Sequence, residues 1–303
     1  MFTTQAASSW RPDQNALNFS RELDTRRLHA ARWQRHRRIP RTARDTMTAP
    51  PISIRQVKLK AISAMREAYR AEQDCQVVHD SIHARRGWTR EFAIAEGDRV
   101  VAYASLAVDG PWRDKPTLYE LYVVPDRRSR AFALFEAFLE TTKPPRFEVQ
   151  SNDLLLTTLA VTFARELTTE KVVFRDNETT SHTIPGATLR CLTPAAEIQE
   201  AMTERAGGGE WALEVAGIAV GKGGLLFHYN PPYGDIYMEV DEPHRRRGFG
   251  GYLVQELKRL CRALGAVPGA RCDPTNTASR RTLQRAGLVP YAHILVGSFR
   301  QDR

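Results

Sequence analysis

The feature that most constrains this chain is that it repeats itself. Val123-Val-Pro-Asp-Arg-Arg128-Ser-Arg130-Ala131-Phe132-Ala133 aligns without a gap on Val240-Asp-Glu-Pro-His-Arg245-Arg-Arg247-Gly248-Phe249-Gly250. Two arginines and the phenylalanine coincide, and each glycine of the second run is an alanine in the first. Such self-similarity means one supersecondary unit built twice. The flanking patterns agree. The first series predicts strands over 52–57, 91–96, 99–108, 118–124 and 146–150, with Gly97-Asp98 as a hairpin turn. Its helices fall over 61–69, 132–142 and 154–164, before strands over 171–174 and 179–183. The second series predicts a strand over 188–192, a helix over 195–205, then strands over 211–215 and 225–229 around a Gly-rich hairpin. A strand over 235–240, a helix over 250–264, a strand over 270–272, a helix over 277–286 and a strand over 291–298 complete it. Asn152 before one helix mirrors Asn276 before another. The join falls near 183–187. The division is a basic arm over 1–48, a first copy over 49–183 and a second over 184–303.

Charge is unevenly placed. Residues 1–46 carry ten arginines against four acids, +6 of the chain's net +9. The remainder is nearly balanced, which argues against a nucleic-acid-binding body. The arm cannot build a core and reads as disordered or weakly helical. Three readings of it stay open: an extension upstream of a start at Met47, a passive tail, or an arm for RNA or acidic partners. Its four acids and lack of a Ser-rich stretch speak against an organelle leader. The four cysteines are scattered, with no C-x-x-C pair, which suits a reducing cytoplasm and no thiolate metal site. No apolar run approaches the ~20 residues that span a bilayer.

The second copy of the repeated run sits where a strand, Ile236-Tyr-Met-Glu-Val240, meets a helix beginning near Tyr252. Glycines there let the backbone approach a ligand and accept positive φ. The free N–H groups and dipole of the helix start suit a pyrophosphate. Arg245, Arg246 and Arg247 add positive charge. An Arg-x-x-Gly-x-Gly string alone also occurs in ordinary surface loops. Here Arg245-x-x-Gly248-x-Gly250 resembles the (Q/R)-x-x-G-x-(G/A) signature of the GNAT (Gcn5-related N-acetyltransferase) family. Asn276-x-x-Ser279, with Leu283-x-Arg285-x-Gly287-Leu288 after it, resembles that family's C-terminal motif, N-x-x-(A/S)-x-x-x-Y-x-K-x-G-F. The resemblance is strong over 188–300 and weak over 52–183. It implies an α/β (α+β) architecture of two tandem GNAT folds, each a mixed, mostly antiparallel central sheet flanked by helices. It also implies acetyl-CoA or coenzyme A as co-substrate, bound by the second copy alone, because Ala131 and Ala133 put methyl groups where the pyrophosphate would pass.

The resemblance assigns roles residue by residue. Backbone N–H groups at Met238 and Val240 would bind the acyl carbonyl and pantetheine. Arg245, Arg246, Arg247, Gly248, Phe249 and Gly250 would hold the phosphates. Asn276 and Ser279 would approach the pantetheine, although a plain helix start capped by Thr277 is the other reading of that segment. The glutamate that family members often carry early in the strand falls on Gly234 here, so no base is carried over. Asp235 and Glu239 share a strand face with Tyr237 and are the candidate catalytic carboxylates; a turn carboxylate and a solvated one are the alternative. The family's tyrosine acid falls on Leu283, which leaves Tyr291 as the nearest hydroxyl. The segment 228–234, with His228, Tyr229 and Tyr233, shapes either an acceptor pocket or a Pro-rich turn. Only one helix precedes the second copy's hairpins where relatives carry two, so the first copy is expected to supply the missing wall and the acceptor to sit between the halves. The expected function is an acyl-CoA-dependent N-acyltransferase, moving acyl groups other than aminoacyl to a small-molecule or peptide amine. The alternatives are a non-catalytic acyl-CoA-binding module and an acetyltransferase led to RNA or ribosomal substrates by its arm.

Overall fold

Twelve strands form one sheet in this computed structural model, which describes residues 50–300. The basic arm expected over 1–48 lies outside the described residues. The first half contains β1 (Ile52–Val57), α1 (Ser63–Glu72), α2 (Asp80–Ala84), β2 (Thr89–Glu96), β3 (Arg99–Ala107), β4 (Thr117–Val123), α3 (Ala131–Thr142), β5 (Arg146–Gln150), α4 (Leu154–Phe163) and β6 (Ala164–Asp176). The second contains β7 (Ala187–Cys191), α5 (Ala195–Glu204), β8 (Gly208–Val215), β9 (Ile218–Leu226), β10 (Tyr233–Val240), α6 (Phe249–Ala263), β11 (Val267–Cys272), α7 (Thr277–Arg285) and β12 (Leu288–Phe299).

The strand order is β1-β2-β3-β4-β5-β12-β6-β11-β10-β9-β8-β7. Swapping the labels of the two halves gives the same order read backwards, so the sheet has an internal two-fold relation. The halves have exchanged their last strands. β12 lies between β5 and β6, and β6 lies between β12 and β11, all antiparallel. The cores follow the exchange. Phe299 of β12 packs in the first half's core, 5.0 Å from Phe147 and 5.9 Å from Phe135 between ring centroids. Phe174 of β6 packs in the second half's core with Leu225, Leu253 and Leu257.

Local structure follows the side-chain pattern. In α6 the buried residues Phe249, Leu253, Leu257 and Cys261 recur every fourth position, with Val254 and Lys258 beside them, so one face closes on the sheet. The Lys258 ammonium is satisfied there by the carbonyls of Glu178 and Ala286, both at 2.6 Å, and by Asp176 at 2.8 Å. α3 buries Leu134, Phe135 and Phe138 and stops at Lys143, in the left-handed region, before a proline pair.

Three local expectations are corrected. The strand expected over 179–183 is irregular chain; β6 instead runs on from α4 and ends at Asp176. Gly221, Gly223 and Gly224 of the expected hairpin loop lie inside β9, and the turn is at Ala216-Gly217. A Cβ at Gly224 would stand 2.2 Å from the Gly209 carbonyl and against the Tyr237 ring, so bare backbone is required for the strands to sit this close. The mirror of Asn276 is Asp153, one residue beyond Asn152: Asp153 Oδ1 accepts from Leu156 N–H at 3.0 Å as Asn276 Oδ1 accepts from Ser279 N–H at 2.9 Å. Among the described residues no helix is long and apolar enough to cross a membrane.

Candidate active site

The parallel strands β10 and β11 pair only over Tyr233–Ile236 and Val267–Ala270. β10 then continues to Val240 beside β9, while β11 turns to β6. A wedge therefore opens in the sheet past Ile236, edged by the backbone of Tyr237, Met238, Glu239 and Val240. β10 leads into the repeated loop at the wedge's wide end. Gly248 caps α6 with φ +86°, a conformation that any side chain strains, and among the described residues no side chain caps the start of the helix. Gly250 lies close under Thr282, where a Cβ would come within 3.1 Å. Arg245 is braced by its Nε–H on the Val240 carbonyl at 3.0 Å, and Arg247 lies over the Phe249 ring at 5.2 Å. Among the described residues no carboxylate lies within ion-pair distance of Arg245, Arg246 or Arg247, and the buried Nδ1 of His244 has no partner. Helix N–H groups, unpaired guanidinium groups and bare glycine backbone make a cradle that fits a pyrophosphate.

The first half keeps the scaffold of this loop and has closed it. Arg128 Nε–H donates to the Val123 carbonyl at 3.2 Å, the counterpart of the Arg245 contact. Its arginines, however, are already neutralised. Arg127 and Arg130 pair with Glu96 at 3.2 and 2.9 Å, and Arg128 pairs with Glu72. At the place corresponding to Tyr237 stands Glu120, fully buried, bonded by Arg66 at 2.8 and 2.9 Å and by the Tyr103 hydroxyl at 3.1 Å, with His83 at 3.4 Å. Arg66 also holds Asp80 of α2. Burial alone would raise the Glu120 pKa, but Arg66 and His83 hold it well below the usual carboxylate range. His83 is raised in turn: burial lowers it, and Glu120 outweighs that.

On the face of the sheet that carries Asp235 and Tyr237 lies a cavity of about 400 Å³. Both halves build it. The first contributes Ser81 and Ile82 of α2 and Arg85 just after it, with Trp88, Trp112, His79 and Glu148; the second contributes Leu226, His228, Tyr229 and Arg271. Leu226 is the direct cross-strand partner of Asp235, and Arg271 Nε–H donates to Asp235 Oδ2 at 3.0 Å. The cavity floor therefore adjoins the apex of the wedge. Burial raises the Asp235 pKa against the opposing pull of Arg271, and among the described residues its buried Oδ1 has no partner. Burial and then Arg271 push His228 down to about 3. It is neutral, and its Nε2 faces Arg271 Nη2 at 3.4 Å as an acceptor.

The sequence-predicted residues fall in four places. Met238, Val240, Arg245, Arg246, Arg247, Gly248, Phe249 and Gly250 lie together along the wedge and its loop. Asn276 and Ser279 meet at the start of α7, where the Asn276 side chain is itself the cap, in place of Thr277. Asp235 and Glu239 share a face, but Asp235 is buried under Arg271 and Glu239 is exposed beyond Tyr237. Leu283 is buried in the core. Tyr291 is not brought to the wedge. Its hydroxyl bonds Asp74 at 2.9 Å, and Asp74 also takes the hydroxyl of Tyr233 at the opposite end of β10 from Val240. Seven residues of strand at about 3.3 Å each separate those ends, so Tyr291 is withdrawn as the thiolate acid. The sequence reading passed over His79, Glu148 and Arg271. The available signal was Arg271, a lone charge in the otherwise uncharged short strand β11; Glu148 lies in β5 beside Arg146 and Gln150 and carries no such signal.

The acetyltransferase (GNAT) family model matches residues 177–288. An acetyltransferase of the GNAT family from Colwellia psychrerythraea superposes with a TM-score of 0.64 at 14% identity, over 82% of this chain and 100% of its own. A tandem GNAT protein from the clavulanic acid biosynthesis pathway superposes at 0.54 and 14% identity, over 84% of this chain and 100% of its own. A GCN5-related N-acetyltransferase from Sphaerobacter thermophilus gives 0.50 at 17% identity, over 83% and 98%. No curated protein matches the sequence.

Proposed function

We propose that the protein is an acyl-CoA-dependent N-acyltransferase, because residues 177–288 match the acetyltransferase (GNAT) family model and the two halves together have the fold of a tandem GNAT protein. Its donor is acetyl-CoA, in preference to any aminoacyl donor, and its acceptor is a small-molecule amine. One observation carries the reading: the cavity shared by the halves adjoins the apex of the β10/β11 wedge, and an uncompensated arginine loop lies at the wedge's other end. Acyl-CoA supplies a thioester carbonyl. Arg245, Arg246, Arg247 and the N–H groups after Gly248 bind its phosphates. The β10 backbone at Met238 and Val240 donates to the acyl carbonyl. A cavity of about 400 Å³ is of small-molecule size. Trp88, Trp112 and Tyr229 cover the acceptor, and Glu148 and Glu170 offer carboxylates to its nitrogen beside Arg85 and an Arg271 already paired with Asp235. The four cysteines are unpaired, which suits a reducing cytoplasm.

Calorimetry is expected to give one coenzyme A per chain. Gly248→Glu abolishes binding, because it strains φ and places a carboxylate among the phosphates. The matching change in the first half leaves it intact; Ala131 is buried, so the control is Ala133→Glu. With a panel of small amines, acetyl-CoA releases thiol only when an acceptor is present. Two equal sites, or binding with no transfer to any amine, contradict the proposal.

A further inference from the structure

His79 and Glu148 form a pair that belongs to the first half yet faces the cavity at the second half's wedge. His79 precedes α2, and Glu148 lies on β5. His79 Nε2 meets Glu148 Oε1 at 2.7 Å. The imidazole is fixed on three sides by edge-to-face contacts with Trp112 at 5.5 Å, Tyr119 at 5.6 Å and Tyr229 at 5.2 Å. Both residues line the cavity. A carboxylate on Nε2 fixes the tautomer with the proton there and leaves the lone pair on Nδ1. Nδ1 has no hydrogen-bond partner among the described residues. Burial would raise the Glu148 pKa, but His79 and, beyond it, Arg271 keep it below the usual range, so the carboxylate stays ionised.

The other titratable groups near the cavity are poorer bases. His228 accepts from Arg271 and does not take a proton near neutrality. Asp235 is committed to Arg271. Tyr119 donates to or accepts from His83 at 2.9 Å, and burial pushes its phenol up. Burial likewise raises Tyr229. Glu170 is exposed at the rim.

Resting on the acyltransferase reading above, we propose that His79 is the catalytic base for the acceptor amine and Glu148 its positioning residue, so that the half without a cofactor loop supplies the acid–base chemistry of the half that has one. His79 Nδ1 takes one proton from the bound ammonium. The amine nitrogen then forms the N–C bond to the thioester carbonyl as the C–S bond breaks, and sulfur leaves with the electron pair. The second proton lost from nitrogen ends on the thiolate, and His79 returns its proton to solvent.

The test compares wild type, His79→Gln and Glu148→Gln with acetyl-CoA and the best amine of the panel. His79→Gln is expected to lower kcat about 100-fold, the lower end of general-base contributions, with acetyl-CoA affinity by calorimetry unchanged. Glu148→Gln moves in the same direction. The deficit of His79→Gln narrows as the pH is raised from 7 to 9, because water then deprotonates more of the amine; a purely structural role gives no such narrowing. Unchanged affinity also shows that the variants fold. A kcat within twofold of wild type for His79→Gln overturns this inference and leaves the acyltransferase standing. Failure of wild type to bind acetyl-CoA overturns the reading beneath it.

Discussion

Expressed alone, residues 184–303 are expected to remain unfolded, and so are residues 50–183. The reason is the exchange of β6 and β12. In the C-terminal segment β12 has no partner strand, since both of its neighbours, β5 and β6, belong to the first half. The second core loses Phe174 and Val172, and Phe299 loses Phe135 and Phe147. Removal of a buried phenylalanine side chain alone costs about 3–5 kcal/mol, against a total stability of roughly 5–15 kcal/mol. Circular dichroism melting of each segment should show no cooperative transition, and mixing the two in equal amounts should restore one. A cooperative melt of 184–303 alone, within about 10 °C of the intact chain, would refute the argument; that margin corresponds to only a few kcal/mol at this size.

The second large effect is Arg66→Met. The substitution preserves bulk but leaves Glu120 and Asp80 buried without their shared cation. Breaking a buried ion pair on one side costs about 3–5 kcal/mol, a fall in Tm on the order of 10 °C. The sign of the pH dependence follows from the shifts. Glu120 is held below its unfolded value, so its contribution is complete above the ordinary glutamate range and is lost as the pH falls from there through its lower folded value. His83 is raised, so its contribution is complete below the ordinary histidine value and is lost as the pH rises through its folded one. Without Arg66, burial raises Glu120, so the variant takes up a proton as the pH falls while the wild type stays ionised. The gap in Tm between wild type and Arg66→Met should therefore narrow as the pH drops from 7 to 4, and a gap independent of pH would refute the assignment.

The loop at Arg245–Gly250 was legible because a period-2 strand, two glycines and an amphipathic helix stand in immediate succession, each signalling locally. The decay of the first copy was legible for the same reason, in Ala131 and Ala133. Its completion was not: Glu72 and Glu96 neutralise the old loop from α1 and β2, far away in sequence. Strand exchange was equally hidden. The pattern of β6 says that it is a strand, but which edge it joins depends on edges made elsewhere. Tyr291 misled because sequence proximity to α7 suggested nearness to the wedge. A register shift in β12 between Pro290 and Ala292, and the claim of Asp74 on its hydroxyl, place it elsewhere. His79 left no trace, since its meaning arises only when α2 and β5 meet β11.

The order in which the chain is made gives the exchanged strands a further consequence. β6 is complete at Asp176, but its neighbours begin at Val267 and Leu288. At translation speeds of about 5–20 residues per second, β6 and the outer edge of β5 wait several seconds for their partners. During that interval the nascent chain presents three open strand edges, both of β6 and the outer one of β5, the form in which chains template one another. A neighbouring ribosome on the same message offers a β12 of identical sequence. Crowded synthesis therefore selects for chains joined through traded C-terminal strands, and slowing translation beyond residue 176 lengthens the exposure.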